Sequence, residues 1–151
     1  MIEAEARQRA LGYLAAHRVM TLATQGPEGL WAADVFYAND GFNLYFVSSP
    51  TSRHGRNLAA QAGVAATVHE DYLDWREIKG IQLEGRVELI AEPELARVRQ
   101  IYGEKFPLVT DATSAPAIAA AFAKVRWYKL AAVRAYFVDN SAGFGHRDQV
   151  L

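Results

Sequence analysis

Six consecutive residues, Ser52-Arg53-His54-Gly55-Arg56-Asn57, gather the densest chemistry in this chain. They follow Pro50-Thr51, and the spacing predicts a helix that opens at Thr51 or Ser52 and runs to about Ala62. A hydroxyl at that point can accept one of the backbone N–H groups that every helix start leaves without a partner. Two arginines and a histidine then occupy the first turn, where the positive end of the helix dipole disfavours each cation by about 0.3–1 kcal/mol. An anion reverses that penalty, because free N–H groups, the Ser52 hydroxyl and the Arg53 guanidinium could all converge on a phosphate. His54 and Arg56 would be secondary cationic partners. The competing reading is a solvated basic turn paired with nearby carboxylates.

The turn continues directly from Tyr45-Phe46-Val47-Ser48-Ser49. A ligand anchored at Ser52 and Arg53 would therefore lie along strand backbone. Amide and carbonyl groups near Val47 and Ser48 could read the edge of a flat heteroaromatic ring, while Tyr45 and Phe46 read as core. Gln82 lies on the polar face of a long strand and could bond a ring edge, or simply face solvent. Asp34, flanked by Ala33, Val35 and Phe36, belongs either at an interface or in a pair, for which an arginine is the natural partner. Trp31 and Trp75 read as core or interface anchors.

Other chemistries are disfavoured. The chain has no cysteine, which removes thiol nucleophiles, thiolate metal sites and disulfides together. His17, His54, His69 and His146 show no metal-ligand spacing. Neither a Gly-x-Ser-x-Gly elbow nor a phosphate loop is present, and Gly143-Phe144-Gly145 lacks the third glycine of a dinucleotide fingerprint. Sixteen Lys+Arg against seventeen Asp+Glu gives a net charge of −1, which argues against nucleic-acid binding. No apolar run is long enough to span a membrane. Met1-Ile2-Glu3-Ala4-Glu5 lacks the layout of a signal peptide, so a cytoplasmic protein is expected.

The elements that must position the turn are mostly strands. Ile2, Ala6, Ala10, Tyr13 and Leu14 recur at helical spacing. Val19–Thr24 reads as a strand, followed by a turn at Gln25–Gly29 and a second strand from Leu30 or Trp31 to Tyr37. Asn39-Asp40-Gly41 supplies hairpin chemistry, and Phe42–Ser48 is the third strand. Val64–His69 follows. In Ile78–Ile90, Ile81, Leu83, Val87 and Leu89 alternate with Gln82, Glu84, Arg86 and Glu88, as in a half-buried antiparallel strand. Gly80 and Gly85 mark a bulge or a close approach there. Pro93 opens a helix that ends before Pro107, Ser114-Ala115-Pro116 opens another to about Ala123, and Ala132–Val138 is the sixth strand. Asp139–Gly145 reads as a flexible tail. With 151 residues, 51% of them hydrophobic, a single domain over 1–151 is expected: mainly β (α+β), a small antiparallel barrel with flanking helices.

The ordered segments Thr21-Leu22-Ala23-Thr24, Ala33-Asp34-Val35-Phe36-Tyr37, Leu44-Tyr45-Phe46-Val47-Ser48, Ser52-Arg53-His54, Asn57-Leu58 and Gly80-Ile81-Gln82-Leu83-Glu84-Gly85 resemble the pyridoxamine 5'-phosphate oxidase-like split-barrel family over about Leu11 to Ile90. The tail Asp139–Gly145 is similar to that of a small bacterial branch of the superfamily. The resemblance implies a six-stranded split β-barrel, a homodimer, and FMN in a cleft between subunits; relatives also bind a deazaflavin or haem. It gives the phosphate to Ser52, Arg53 and His54. It lays the strand containing Asp34, Val35 and Phe36 along the flavin, brings Val47 and Ser48 to the ring, and adds a polar contact from Gln82. His54 stands where the family has lysine, and Lys79-Gly80 where the oxidase has an Arg-Gln pair. The activity implied is a flavin-dependent oxidoreductase acting on a small molecule that the residues do not specify, with no catalytic acid or base identified. The alternative is a non-enzymatic flavin or haem carrier.

Overall fold

A computed structural model describes residues 2–107 and 116–151. Among them the chain forms α1 (Ala4–Ala16), β1 (Val19–Gly26), β2 (Gly29–Asp40), β3 (Asn43–Ser48), α2 (Arg53–Ala60), β4 (Gly63–His69), β5 (Lys79–Leu89), α3 (Glu94–Lys105), α4 (Pro116–Phe122), β6 (Arg126–Asp139) and β7 (Arg147–Gln149). Two 3-10 turns, Trp75–Glu77 and Asn140–Ala142, complete it. Ser114 and Ala115, where the fourth helix is expected to open, lie outside the described residues.

The sheet order is β3-β2-β1-β4-β5-β6-β7, and an additional β3–β6 pairing closes the first six strands into an antiparallel barrel. Closure leaves β3 with a partner on each edge. The β2–β3 hairpin turns where its Asp-Gly chemistry predicts, with Gly41 at a φ of +58°. Period-two alternation drives Met20, Leu22, Tyr37, Leu44, Phe46, Val68, Ile81, Leu130 and Phe137 into the barrel. Ala6, Ala10 and Leu14 of α1 join the same core, and α3 packs Val98 against Tyr45 and Ile90 in a second one.

Two expectations are corrected. The last strand begins at Arg126, not Ala132, because Arg126–Ala131 is the segment that zips onto β3. Asp139–Gly145 is folded rather than flexible. Asp139 accepts hydrogen bonds from Ser141 N and Oγ and pairs with Arg9, Asn140 Nδ2 donates to Trp75 O at 2.8 Å, and β7 then adds a seventh strand along β6. No helix among the described residues is long and apolar enough to cross a membrane.

The glycines of β5 mark close approach. A Cβ at Gly85 would lie 2.3 Å from Ala131 O, at the register shift between Glu84 and Gly85, and one at Gly80 would lie 2.8 Å from Val68 O. Gly85→Ala should therefore lower the unfolding free energy by about 1–3 kcal/mol in urea denaturation. Gly12→Ala, in α1 with nothing within 4 Å, should raise it by about 0.5–1 kcal/mol. Equal effects at the two positions would refute this account of the bulge.

Lys105, at the end of α3, donates to Leu14 O and His17 O at the C-terminus of α1 and lies 4.2 Å from the Tyr37 ring centroid. Burial pushes its ammonium down to about 8. The unfolded chain keeps that proton to higher pH, so between about pH 8 and 10 it binds more protons than the native state and stability should rise with pH. Above pH 10 Tyr37, whose hydroxyl is pushed up by burial, reverses the trend as unfolded tyrosines ionise. Thermal melts from pH 7 to 10 should show the rise in the native protein and not in Lys105→Met.

Candidate functional site

Because β3 is paired on both edges, the chain leaves it at a fixed point and α2 begins after a four-residue link. Ser52 is the N-cap: its Oγ accepts the Gly55 N–H at 3.0 Å and donates to Ser49 O at 2.7 Å. Gly55 permits the fold-back, since a Cβ there would stand 2.4 Å from Ser49 O.

The three cationic residues of the turn have separate fates. Arg56 grips the Glu28 carboxylate with two parallel bonds, Nε to Oε2 at 2.8 Å and Nη2 to Oε1 at 3.0 Å, and donates Nη1 to Thr51 O at 2.6 Å. His54 turns inward, and its Nε2 shares a short hydrogen bond with Ser48 Oγ. Burial lowers its imidazole pKa below the ordinary histidine value, so it brings no full charge to the turn at neutral pH. Arg53 crosses to the β1–β2 loop, donating Nη2 to Glu28 O at 2.8 Å and more weakly to Leu30 O at 3.4 Å, with its guanidinium 4.2 Å from the Trp31 ring centroid. Its Nε is buried and has no hydrogen-bond partner among the described residues. A buried donor without an acceptor is rare, and an anion's oxygen is the acceptor an arginine fork suits.

Asn57, one turn further on, is a residue to which the sequence reading gives no role. It is fully buried, and its Nδ2 donates to Thr24 Oγ1 at 3.1 Å and to Gly29 O at 3.4 Å, tying α2 to both strands of the hairpin. A Cβ at Gly26 would lie 2.4 Å from Asn57 Oδ1. Glu28 was missed as well; its signal is an acidic residue between Pro27 and Gly29 in the one turn that faces the cationic helix start.

The remaining residues fall on two faces. Ser48 is buried beside the turn and Val47 half-buried. Val35 points into the core, whereas Asp34 and Phe36 point outward. Asp34 pairs with no arginine among the described residues: Thr21 Oγ1 donates to its Oδ1 at 2.7 Å. Register sets Asp34, Thr21, Thr67, Gln82 and Tyr136 in one row across five strands. Gln82 accepts a 3.4 Å bond from Arg147 Nη1 there. An adjacent row runs Ala32, Ala23, Ala65, Glu84. Asp34 lies three residues along β2 from Trp31, about 10 Å at the usual strand rise.

Closed six-stranded barrel, appended strand, and a helix that starts at its rim with a Ser-Arg pair: these define a split-barrel protein. Residues 6–139 match the family described as pyridoxamine 5'-phosphate oxidase, and the chain belongs to that family. A relative, a UPF0306 protein of Cronobacter sakazakii, is 31% identical over 137 residues, covering 89% of this chain and 88% of its own. Among solved structures, a heme binding protein from Mycobacterium smegmatis superposes with a TM-score of 0.76 at 24% identity over 99% of this chain, which spans 59% of that protein's length. HutZ, the heme storage protein from Vibrio cholerae, gives 0.69 at 16% identity, covering 84% and 89% of the two chains. A FAD-binding protein from Mesorhizobium loti gives 0.65 at 18% identity, covering 86% and 90%.

Replacing Asn57 by alanine strands the Thr24 hydroxyl and loosens the Gly29 turn. Asn57→Ala should lower the unfolding free energy by about 1–3 kcal/mol, read as a shifted urea midpoint with an unchanged slope.

Proposed function

We propose that this protein binds FMN, with its phosphate at the start of α2, and acts as a flavin-dependent oxidoreductase on a small molecule. The observation that carries the reading is Arg53, a half-buried guanidinium whose shielded Nε has no acceptor among the described residues, standing beside a helix N-terminus. Arg53 would clamp the phosphate, with the first backbone N–H groups of α2 and Ser52 beside it. Arg56 would contribute less, because Glu28 already neutralises it. His54 would hold the Ser48 hydroxyl rather than the anion. Asp34, Phe36 and Gln82 on the outer sheet face, with Val35, Val47 and Ser48 through their backbone, would border the ring. When bound, the isoalloxazine supplies the hydride and electron chemistry while the protein supplies position and electrostatics. The reading includes a homodimer with the ring at the subunit boundary, and a cytoplasmic location.

A second reading, a non-enzymatic flavin or haem carrier, is favoured by the names of the M. smegmatis and V. cholerae proteins. An absorption spectrum of the purified protein separates the two cofactors, since flavin gives two bands in the near ultraviolet and blue and haem a Soret band.

FMN titration followed by fluorescence quenching tests the clamp. Arg53→Ala should weaken binding at least about tenfold, corresponding to about 1.5–3 kcal/mol for a charged hydrogen bond. Arg56→Ala should weaken it by less than about threefold, or ~0.7 kcal/mol. Equal affinity of native protein and a folded Arg53→Ala variant would rule the clamp out.

A further inference from the structure

Both arginines at the start of α2 fold onto one residue of the β1–β2 turn. Arg53 Nη2 donates to the Glu28 carbonyl at 2.8 Å, and Arg56 holds the Glu28 carboxylate through Nε at 2.8 Å and Nη2 at 3.0 Å. Arg56 Nη1 also donates back to Thr51 O at 2.6 Å, which keeps this guanidinium at the helix start although it belongs to the next turn. The Glu28 carboxylate therefore stands near the positive end of α2, where an anion is favoured. The chain itself supplies one anion to the site.

What remains for a ligand is small. Ser52 N–H is taken by Ser49 O and Gly55 N–H by Ser52 Oγ, so the open backbone donors of the helix start, among the described residues, are those of Arg53 and His54. The His54 ring is held by Ser48, and burial suppresses its charge. One guanidinium and two amides match the oxygens of a single phosphoryl group. A second phosphoryl group bonded to the first would need the fork of Arg56. Glu28 already fills that fork, in the bidentate geometry that arginine offers to carboxylates and phosphates alike.

Glu28 is also held in place by its backbone. It sits between Pro27 and Gly29, in a turn that α2 fastens again through Arg53 Nη2 to Leu30 O and Asn57 Nδ2 to Gly29 O, both at 3.4 Å. Three consecutive carbonyls of the turn thus accept donors from α2. An exposed ion pair between free side chains contributes little. A carboxylate carried on a fastened turn is preorganised against its arginine, and a competing anion displaces it less readily.

We propose that Glu28 sets how many phosphoryl groups the turn accepts. Its carboxylate takes the place of a second one, so the site selects a flavin with a single terminal phosphate over one with a diphosphate bridge. The inference rests on the flavin reading above and names the residue that separates the mononucleotide from the dinucleotide.

FMN and FAD make the test nearly independent of ligand charge, because at pH 7.5 a phosphate monoester and a diphosphate diester each carry about two negative charges. Dissociation constants for both are measured by titration calorimetry in 0.15 M salt, which screens fields beyond about 8 Å. Native protein should bind FMN at least about tenfold more tightly than FAD. Glu28→Gln, which frees Arg56, should strengthen FAD binding at least about fivefold more than FMN binding. Removing Arg56 as well, in the double variant Glu28→Gln with Arg56→Ala, should return the ratio to its native value. Glu28 is half exposed, and urea midpoints confirm that each variant is folded. A native protein that takes FAD as well as FMN, a ratio unmoved in Glu28→Gln, or a gain for FAD that survives the loss of Arg56 would each overturn the role of Glu28 while leaving FMN binding intact. If neither flavin binds the native protein or any variant, the flavin reading fails and this inference fails with it.

Discussion

The closure of the barrel by β6 is the constraint on which the site depends. β6 pairs with β5 along most of its length, while its first half takes β3 on the other edge. An isolated eight-residue helix is unstable in water, so α2 cannot hold the Ser52–Asn57 turn in shape by itself. The barrel does it instead. Ser49 follows directly from the end of β3, where Val47 and Ser48 are held by β6, and receives the backbone of Gly55 at a distance no side chain would permit. Asn57 then fastens the far side of the helix to Thr24 and Gly29. The glycine at the β5 bulge belongs to the same arrangement, because Ala131 O approaches it where β6 leaves β3.

Within that frame the electrostatic problem of three cationic residues at a helix start is resolved piecemeal. Arg56 meets a carboxylate in a bidentate geometry, and its charge is largely answered within the protein. His54 sheds its charge through burial and becomes a hydrogen-bonding partner for Ser48. Among the described residues Arg53 gains backbone carbonyls and the face of Trp31, interactions that position a guanidinium without neutralising it. Charge without a counter-ion among the described residues is thus concentrated at this turn in Arg53, and the simple count of cations in the sequence overstates it.

Legibility in the sequence followed the range of the interactions. The hairpin at Asp40-Gly41, the alternation of β5 and the Ser52 cap are decided by residues within a few positions of one another, and all three are found. The first half of β6 was not, because Arg126-Trp127-Tyr128-Lys129 becomes a strand by pairing with β3, some eighty residues earlier. Asp139–Gly145 has the composition of a loose tail, yet Asn140 fixes it through Trp75, 65 residues away. The partners of Arg53 and Arg56 likewise lie 25 and 28 residues back, in a turn whose only local message is that the chain reverses.

Strand periodicity also divides the segment that the family resemblance lays along a flavin. Successive side chains point to opposite faces, so Asp34 and Phe36 stand outside while Val35 is committed to the core. A planar molecule lying on the outer face could meet Val35 through its backbone alone. The neighbouring positions on that face carry small side chains: Ala32, Ala23 and Ala65 form a row across three strands, bordered by the polar row that contains Asp34, Thr21, Thr67 and Gln82. Small side chains keep that strip flat, and the adjoining row offers hydrogen-bonding groups along one edge. A bulky residue at Ala23 would interrupt the strip while leaving the core on the opposite face untouched, which makes its flatness a property of the outer surface alone.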